Sequence, residues 1–128
     1  MAVTVTNTPV LNYNTVAAVT KNAATADVDG TAEVFTITPT RANQSCALII
    51  GGVGSAADGN IGVSVAAGDM WAGGAVTATV TKNTEAVIQL ETAKVMKKNG
   101  TIAVTLTPVA TDKLKTDHSA YVKFIELR

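Results

Sequence analysis

Ser45-Cys46-Ala47-Leu48-Ile49-Ile50-Gly51-Gly52-Val53-Gly54-Ser55-Ala56-Ala57-Asp58-Gly59-Asn60-Ile61-Gly62-Val63-Ser64-Val65-Ala66-Ala67 is the stretch on which the reading of this chain turns. Its opening, Cys46 to Ile50, is the most apolar continuous run in the sequence. An uninterrupted run of about five apolar residues bounded by turn formers reads as a strand with both faces covered. After a connection of glycines and Asp58, Ile61, Val63 and Val65 alternate with Gly62, Ser64 and Ala66, the pattern of a strand with one buried face. The centre of a β-structure is therefore expected here. Gly52-Val53-Gly54-Ser55-Ala56-Ala57 formally matches the glycine pattern of a dinucleotide-binding turn. A helix must follow such a turn to set its N-terminus on the phosphates, and Asp58-Gly59-Asn60 stops any helix before its first turns are complete.

Working outward, short alternating or apolar segments recur between turn signals. Glu33 to Thr38 reads as a strand stopped by Pro39, with Phe35 and Ile37 on one face and facing a core. Asp27-Val28-Asp29-Gly30 before it is a turn, because aspartates bond nearby amides and glycine accepts positive φ. The further ligands of a calcium loop are missing, since Glu33 comes too early to close one. Val76 to Thr81 and Glu85 to Leu90 alternate on either side of Lys82-Asn83-Thr84 and read as a hairpin. Asn99-Gly100 is the strongest short turn signal, so residues 94–98 are expected to enter it as a strand and residues 101–107 to leave it as another. The segment 119–127 puts Tyr121, Lys123 and Ile125 on one face and Val122, Phe124 and Glu126 on the other. A mixed strand of that kind is expected at a sheet edge or beside another subunit.

Residues 1–25 are rich in Thr, Asn, Ala and Val, with β-like pieces at 3–6 and 16–20 and the single charge Lys21. They read as an extended arm or as an edge strand of the same domain. Residues 26–128 then form one domain with seven to nine short strands, an all-β fold consisting of a single antiparallel β-sandwich, jelly-roll-like or immunoglobulin-like. The loop from Ala67 to Gly74 holds Met70 and Trp71, the only tryptophan, which either caps the core or anchors a partner.

The bulk numbers narrow the classes. A chain of 128 residues with 47% hydrophobic, 16% charged and 4% aromatic residues is globular, with a core of Val, Ile, Leu and Ala. Ten basic and ten acidic residues cancel, so neither nucleic acid nor an anionic membrane is expected as a partner. Cys46 is the one cysteine and reads as a buried small hydrophobe. The first residues lack the basic and apolar regions of a signal peptide, which leads to an expectation of synthesis in the cytoplasm.

Catalytic chemistry finds little footing. Asp117-His118-Ser119 places three triad residue types side by side, but adjacent residues point apart and triads assemble through the fold. One histidine and one cysteine make no zinc site without further ligands, and the loop with Asp112, Asp117 and His118 reads as solvated. No catalytic residue, cofactor or metal is expected. Lys94, Lys97 and Lys98 form a cluster too small and too poor in aromatics for nucleic acid, and read as a solvated end that discourages edge pairing.

In order, Asp29-Gly30, Phe35-x-Ile37-x-Pro39-Thr40, Ala47-Leu48-Ile49-Ile50, Ala67-Gly68, Gly73-Gly74, Val87-Ile88-x-Leu90-Glu91-Thr92-Ala93, Asn99-Gly100-x-Ile102-x-Val104 and Val122-x-Phe124-Ile125-x-Leu127 form a series of marks. The series resembles the small head decoration proteins of tailed bacteriophages, over about residues 26 to 128. The resemblance implies a non-enzymatic protein of the virion head surface that binds the major capsid protein, as a dimer or trimer. Val3, Val5, Leu11 and Tyr13 of the arm, with Met70 and Trp71, are then the expected partner-binding residues. A tail or baseplate component is the nearest competitor. A carbohydrate-binding or adhesion module is the alternative from another class, weakened by the shortage of aromatic platforms.

Overall fold

The computed structural model describes residues 2–7, 13–40, 45–52, 59–69, 74–81 and 83–127. Within them lie nine strands and one helical turn. The strands are β1 (Ala2–Thr4), β2 (Asn22–Ala23), β3 (Glu33–Ile37), β4 (Ser45–Gly51), β5 (Ile61–Val65), β6 (Val76–Val80), β7 (Glu85–Glu91), β8 (Ile102–Thr107) and β9 (Tyr121–Glu126), and α1 (Thr92–Val95) sits between β7 and β8. They form a five-stranded sheet in the order β1-β3-β8-β5-β6, here sheet A, and a four-stranded sheet in the order β2-β9-β4-β7, here sheet B. All pairs are antiparallel except β1 with β3.

One hydrophobic core joins the two sheets. Sheet A contributes Phe35, Ile37, Ile61, Val63, Val65, Ile102, Val104 and Leu106, and sheet B contributes Cys46, Leu48, Ile50, Leu90, Val122 and Phe124. Period two explains the selection, because in β3, β4, β5, β8 and β9 every second residue is buried. Cys46 is fully buried, and burial pushes its thiol up to about 11.

The chain alternates between sheets at almost every connection, and only β5 and β6 are consecutive strands within one sheet. Two buried glutamates hold these crossings. Glu33 on β3 accepts hydrogen bonds from the backbone N–H of Thr25 (2.8 Å) and Ala26 (3.1 Å) and from the Thr25 hydroxyl, on the segment arriving from β2. Glu126 on β9 accepts from the Thr40 N–H (2.9 Å) and hydroxyl (2.9 Å), on the segment leaving β3 for β4. Both side chains are fully buried, and such donors are what make a buried carboxyl tolerable.

Several expectations are corrected. The segments flanking Asn83 are an arch, not a hairpin: β6 pairs with β5 in sheet A and β7 with β4 in sheet B. The turn itself is there, with Thr84 N–H donating to Thr81 O, but turn chemistry does not say which sheet receives the second strand. Residues 94–98 are not a strand, because the chain must cross from sheet B to sheet A after β7. It does so through α1, which buries Thr92, Ala93 and Val95, and the Asn99-Gly100 turn closes with Lys97 N–H on Thr101 O. Strand β9 is interior, between β2 and β4, and its second polar residue, Glu126, is the buried clamp just described. The loop before β9 is packed rather than solvated: Leu114 is fully buried and His118 is 2% exposed.

Of the amino-terminal region, residues 2–7 and 13–25 are described. Residues 2–6 and 22–26 are tied to sheet edges: β1 lies beside β3, Val5 N–H donates to Thr36 O (2.9 Å), and the Asn22 amide joins Thr6 to Val122 O. Residues 13–21 are all exposed, and the piece at 16–20 is not a strand. For the clamps, Thr40→Val removes a hydroxyl that donates to Glu126 while keeping shape. Urea unfolding should show a loss of about 0.5–1.5 kcal/mol, typical for an intramolecular hydrogen bond, whereas the exposed Thr79→Val should change stability by less than about 0.5 kcal/mol.

Candidate functional site

The core accounts for one face of sheet B; the other carries the candidate site. Register places outward residues in rows across the strands. Ala23, Tyr121, Gly51 and Glu85 form the first row. Lys123, Ile49 and Val87 form the second, and Ile125, Ala47 and Gln89 the third. Ala47, Ile49 and Ile125 are half-buried among their sheet neighbours, and Val87 is 65% exposed. Four apolar side chains on adjoining strands thus make a continuous patch facing away from the core.

Polar groups frame this patch. At one end the Tyr121 ring lies over Gly51, where an added Cβ would stand 2.3 Å from the phenol oxygen. The absence of a side chain at Gly51 lets the phenol cross β4 and donate to Glu85 on β7 at 2.5 Å. Lys123 Nζ reaches the same carboxylate oxygen at 3.1 Å, and Lys21 Nζ lies 4.3 Å from the ring centroid. The Tyr121 hydrogen bond, then that of Lys123, holds the Glu85 carboxyl below its ordinary range. Burial, reinforced by the hydrogen bond to Glu85, pushes the Tyr121 phenol up to about 12. At the other end, Gln89 Nε2 donates to Ser45 Oγ at 3.0 Å, beside a shallow hollow of about 470 Å³ lined by Ser45, Gln89, Leu90 and Glu91. An apolar centre with a polar, hydrogen-bonded rim is the anatomy of a protein–protein interface.

Of the expected partner-binding residues, the described ones are not among the four of this patch. Val5 is buried in the core and Val3 packs against it, so both side chains serve the chain's own interior. Tyr13 is 84% exposed, in the segment 13–21 with the fully exposed Val16. Leu11, Met70 and Trp71, and the glycine pattern from Val53 to Ala57, lie outside the described residues. Asp117 and His118 do not converge on one another: His118 Nε2 meets Asp112 Oδ2 at 3.0 Å, while Asp117 accepts from Lys113 N–H at 2.8 Å. Gly59 covers the His118–Asp112 pair so closely that a Cβ there would stand 1.8 Å from the Asp112 oxygen. That pair is a structural lock under the loop. Among the described residues no group of three or more His, Cys, Asp or Glu side chains comes together.

Sequence reasoning passed over the sheet B face, although the signal was there. The run Cys46 to Ile50 reads as a strand with both faces covered, and this is corrected: among the described residues Cys46, Leu48 and Ile50 are buried, whereas Ala47 and Ile49 on the outward face are only half-buried. Comparison with protein-family models, with curated proteins and with solved structures finds no match to this chain.

The tyrosine gives a direct check on the rim. Its folded pKa lies above the reference value of 10.0, so its contribution to stability is complete below pH 10 and lost as pH rises towards 12. The difference between wild type and Tyr121→Phe in absorbance at 295 nm should therefore develop near pH 12; development near pH 10 would contradict the Tyr121–Glu85 bond.

Proposed function

We propose that this chain is a non-enzymatic structural protein of a tailed-bacteriophage virion, docking on the outer surface of the head through the outward face of sheet B. The observation that carries the reading is the apolar patch of Ala47, Ile49, Val87 and Ile125 on the outward face of β4, β7 and β9, with Val87 exposed and the other three half-buried. Burying such a patch yields roughly 25 cal/mol per Å² of apolar surface, and many copies on a lattice add by avidity, so each contact can be modest.

Strand order supports the class. Taking β2 to β9 as eight successive strands, the orders β2-β9-β4-β7 and β3-β8-β5-β6 support reading the two sheets as a jelly roll, an architecture used by viral capsid domains, with β1 added at one edge. On this reading residues 13–21, exposed throughout and carrying Tyr13 and Val16, are the part of the amino-terminal region that reaches a neighbouring subunit as an arm. The resemblance of residues 26–128 to head decoration proteins points the same way.

Co-sedimentation with purified heads of the encoding phage, prepared without this protein, tests the proposal. Wild type should bind saturably, and Val87→Lys should bind about tenfold more weakly, equivalent to roughly 1.4 kcal/mol, with an unchanged unfolding midpoint. Failure of wild type to bind heads, or equal binding by the variant, overturns it.

A further inference from the structure

A second feature lies beside the apolar patch and is chemically different from it. Residues 21–24 and the loop 115–120 bound a cleft of about 460 Å³ lined by Lys21, Ala23, Ala24, Lys115, Ser119 and Ala120. Its floor is alanine, and a lysine stands on each of its two bounding segments. Among the described residues neither Lys21 nor Lys115 has a carboxylate within 4.0 Å, whereas Lys94 and Lys123 each have one. Lys21 Nζ lies 4.3 Å from the Tyr121 ring centroid, and the acid facing it is Glu85, which Tyr121 and Lys123 engage. The acid facing Lys115 is Asp27, which is engaged by the Thr116 hydroxyl.

The backbone around the cleft narrows the ligand. The N–H groups of Ala24, Ser119 and Ala120 donate to Ala120 O (2.8 Å), Lys115 O (3.0 Å) and Leu114 O (2.9 Å), and that of Lys115 donates to Ala26 O (3.0 Å). A phosphate site is built from free, convergent N–H groups, and these four are spent. The lining side chains offer two ammonium groups and the hydroxyl of Ser119 as donors. Ser119 adopts φ +46°, a left-handed conformation that a non-glycine residue holds only where its surroundings enforce it. Two separated point charges across a small-residue floor suit an extended chain with small apolar side chains and flanking carboxylates.

We propose that this cleft binds an extended acidic peptide segment of a partner protein, with Lys21 and Lys115 each pairing a carboxylate. This site does not depend on the docking role assigned to the sheet B patch, since it would take the same ligand in any assembly.

Fluorescence anisotropy with a dye-labelled peptide of alternating glutamate and alanine, against its glutamine counterpart, tests it at low salt. The glutamate peptide should bind saturably and at least about tenfold tighter than the glutamine peptide, and Lys21→Ala and Lys115→Ala should each weaken it by about threefold to tenfold. Lys98→Ala, on a distant turn, should leave it unchanged, and unfolding midpoints should show all three variants folded. Equal binding of the two peptides, insensitivity to both cleft variants, an equal loss in Lys98→Ala, or displacement by inorganic phosphate at concentrations where chloride of equal ionic strength has no effect would each overturn the assignment.

Discussion

Two carboxyl groups buried between sheets impose the condition on which this fold rests. Apart from β5 and β6, strands that are neighbours in sequence go to opposite sheets, so local pairing builds little of either sheet and the connections must be fixed in place. Glu33 and Glu126 do this from opposite sides: each sits on a strand of one sheet and takes the backbone N–H and hydroxyl of a threonine on a segment running between sheets. Burying an unpaired carboxyl would cost several kcal/mol, so these positions accept one arrangement of the crossing segments and penalise others. The aliphatic core supplies the bulk of the driving force without direction, and the carboxyls supply the direction.

That division explains what could be read in the amino-acid sequence. Alternation located β3, β5, β6, β7, β8 and β9, and core residues such as Phe35, Ile37, Ile61 and Val65 followed from period two alone. The partner of each strand was not legible. Lys82-Asn83-Thr84 carries the chemistry of a tight turn whether the chain doubles back within a sheet or arches to the other one. Glu126 looked like a solvent-facing charge that made β9 an edge, because its partner Thr40 is 86 residues away. Asn99-Gly100 marked its turn correctly, but the need to change sheets replaced the incoming strand with α1.

The surface was legible in a different sense. Cys46 to Ile50 announced a strand apolar on both sides, and the core covers Cys46, Leu48 and Ile50 while leaving Ala47 and Ile49 facing outwards. Their neighbours across the strands, Val87 and Ile125, extend the apolar surface, and Tyr121, Glu85 and Lys123 close its rim through a ring laid over Gly51. None of these contacts was visible from spacing, since each joins strands far apart in the chain. On this face an excess of apolar sequence meets a surface that the described residues leave half-open.

The central claim, that this face is open in the free protein and covered in the assembled particle, is tested most directly by maleimide labelling of Val87→Cys before and after assembly onto heads. Cys46, buried and with its thiol pushed up to about 11, stays silent in the folded protein. Val109→Cys, on the loop after β8, serves as an exposed reference. The account predicts rapid labelling of Val87→Cys in free protein and labelling slowed at least about tenfold on the particle, as expected for a side chain sealed inside a packed interface. Equal labelling rates in the two states would contradict it.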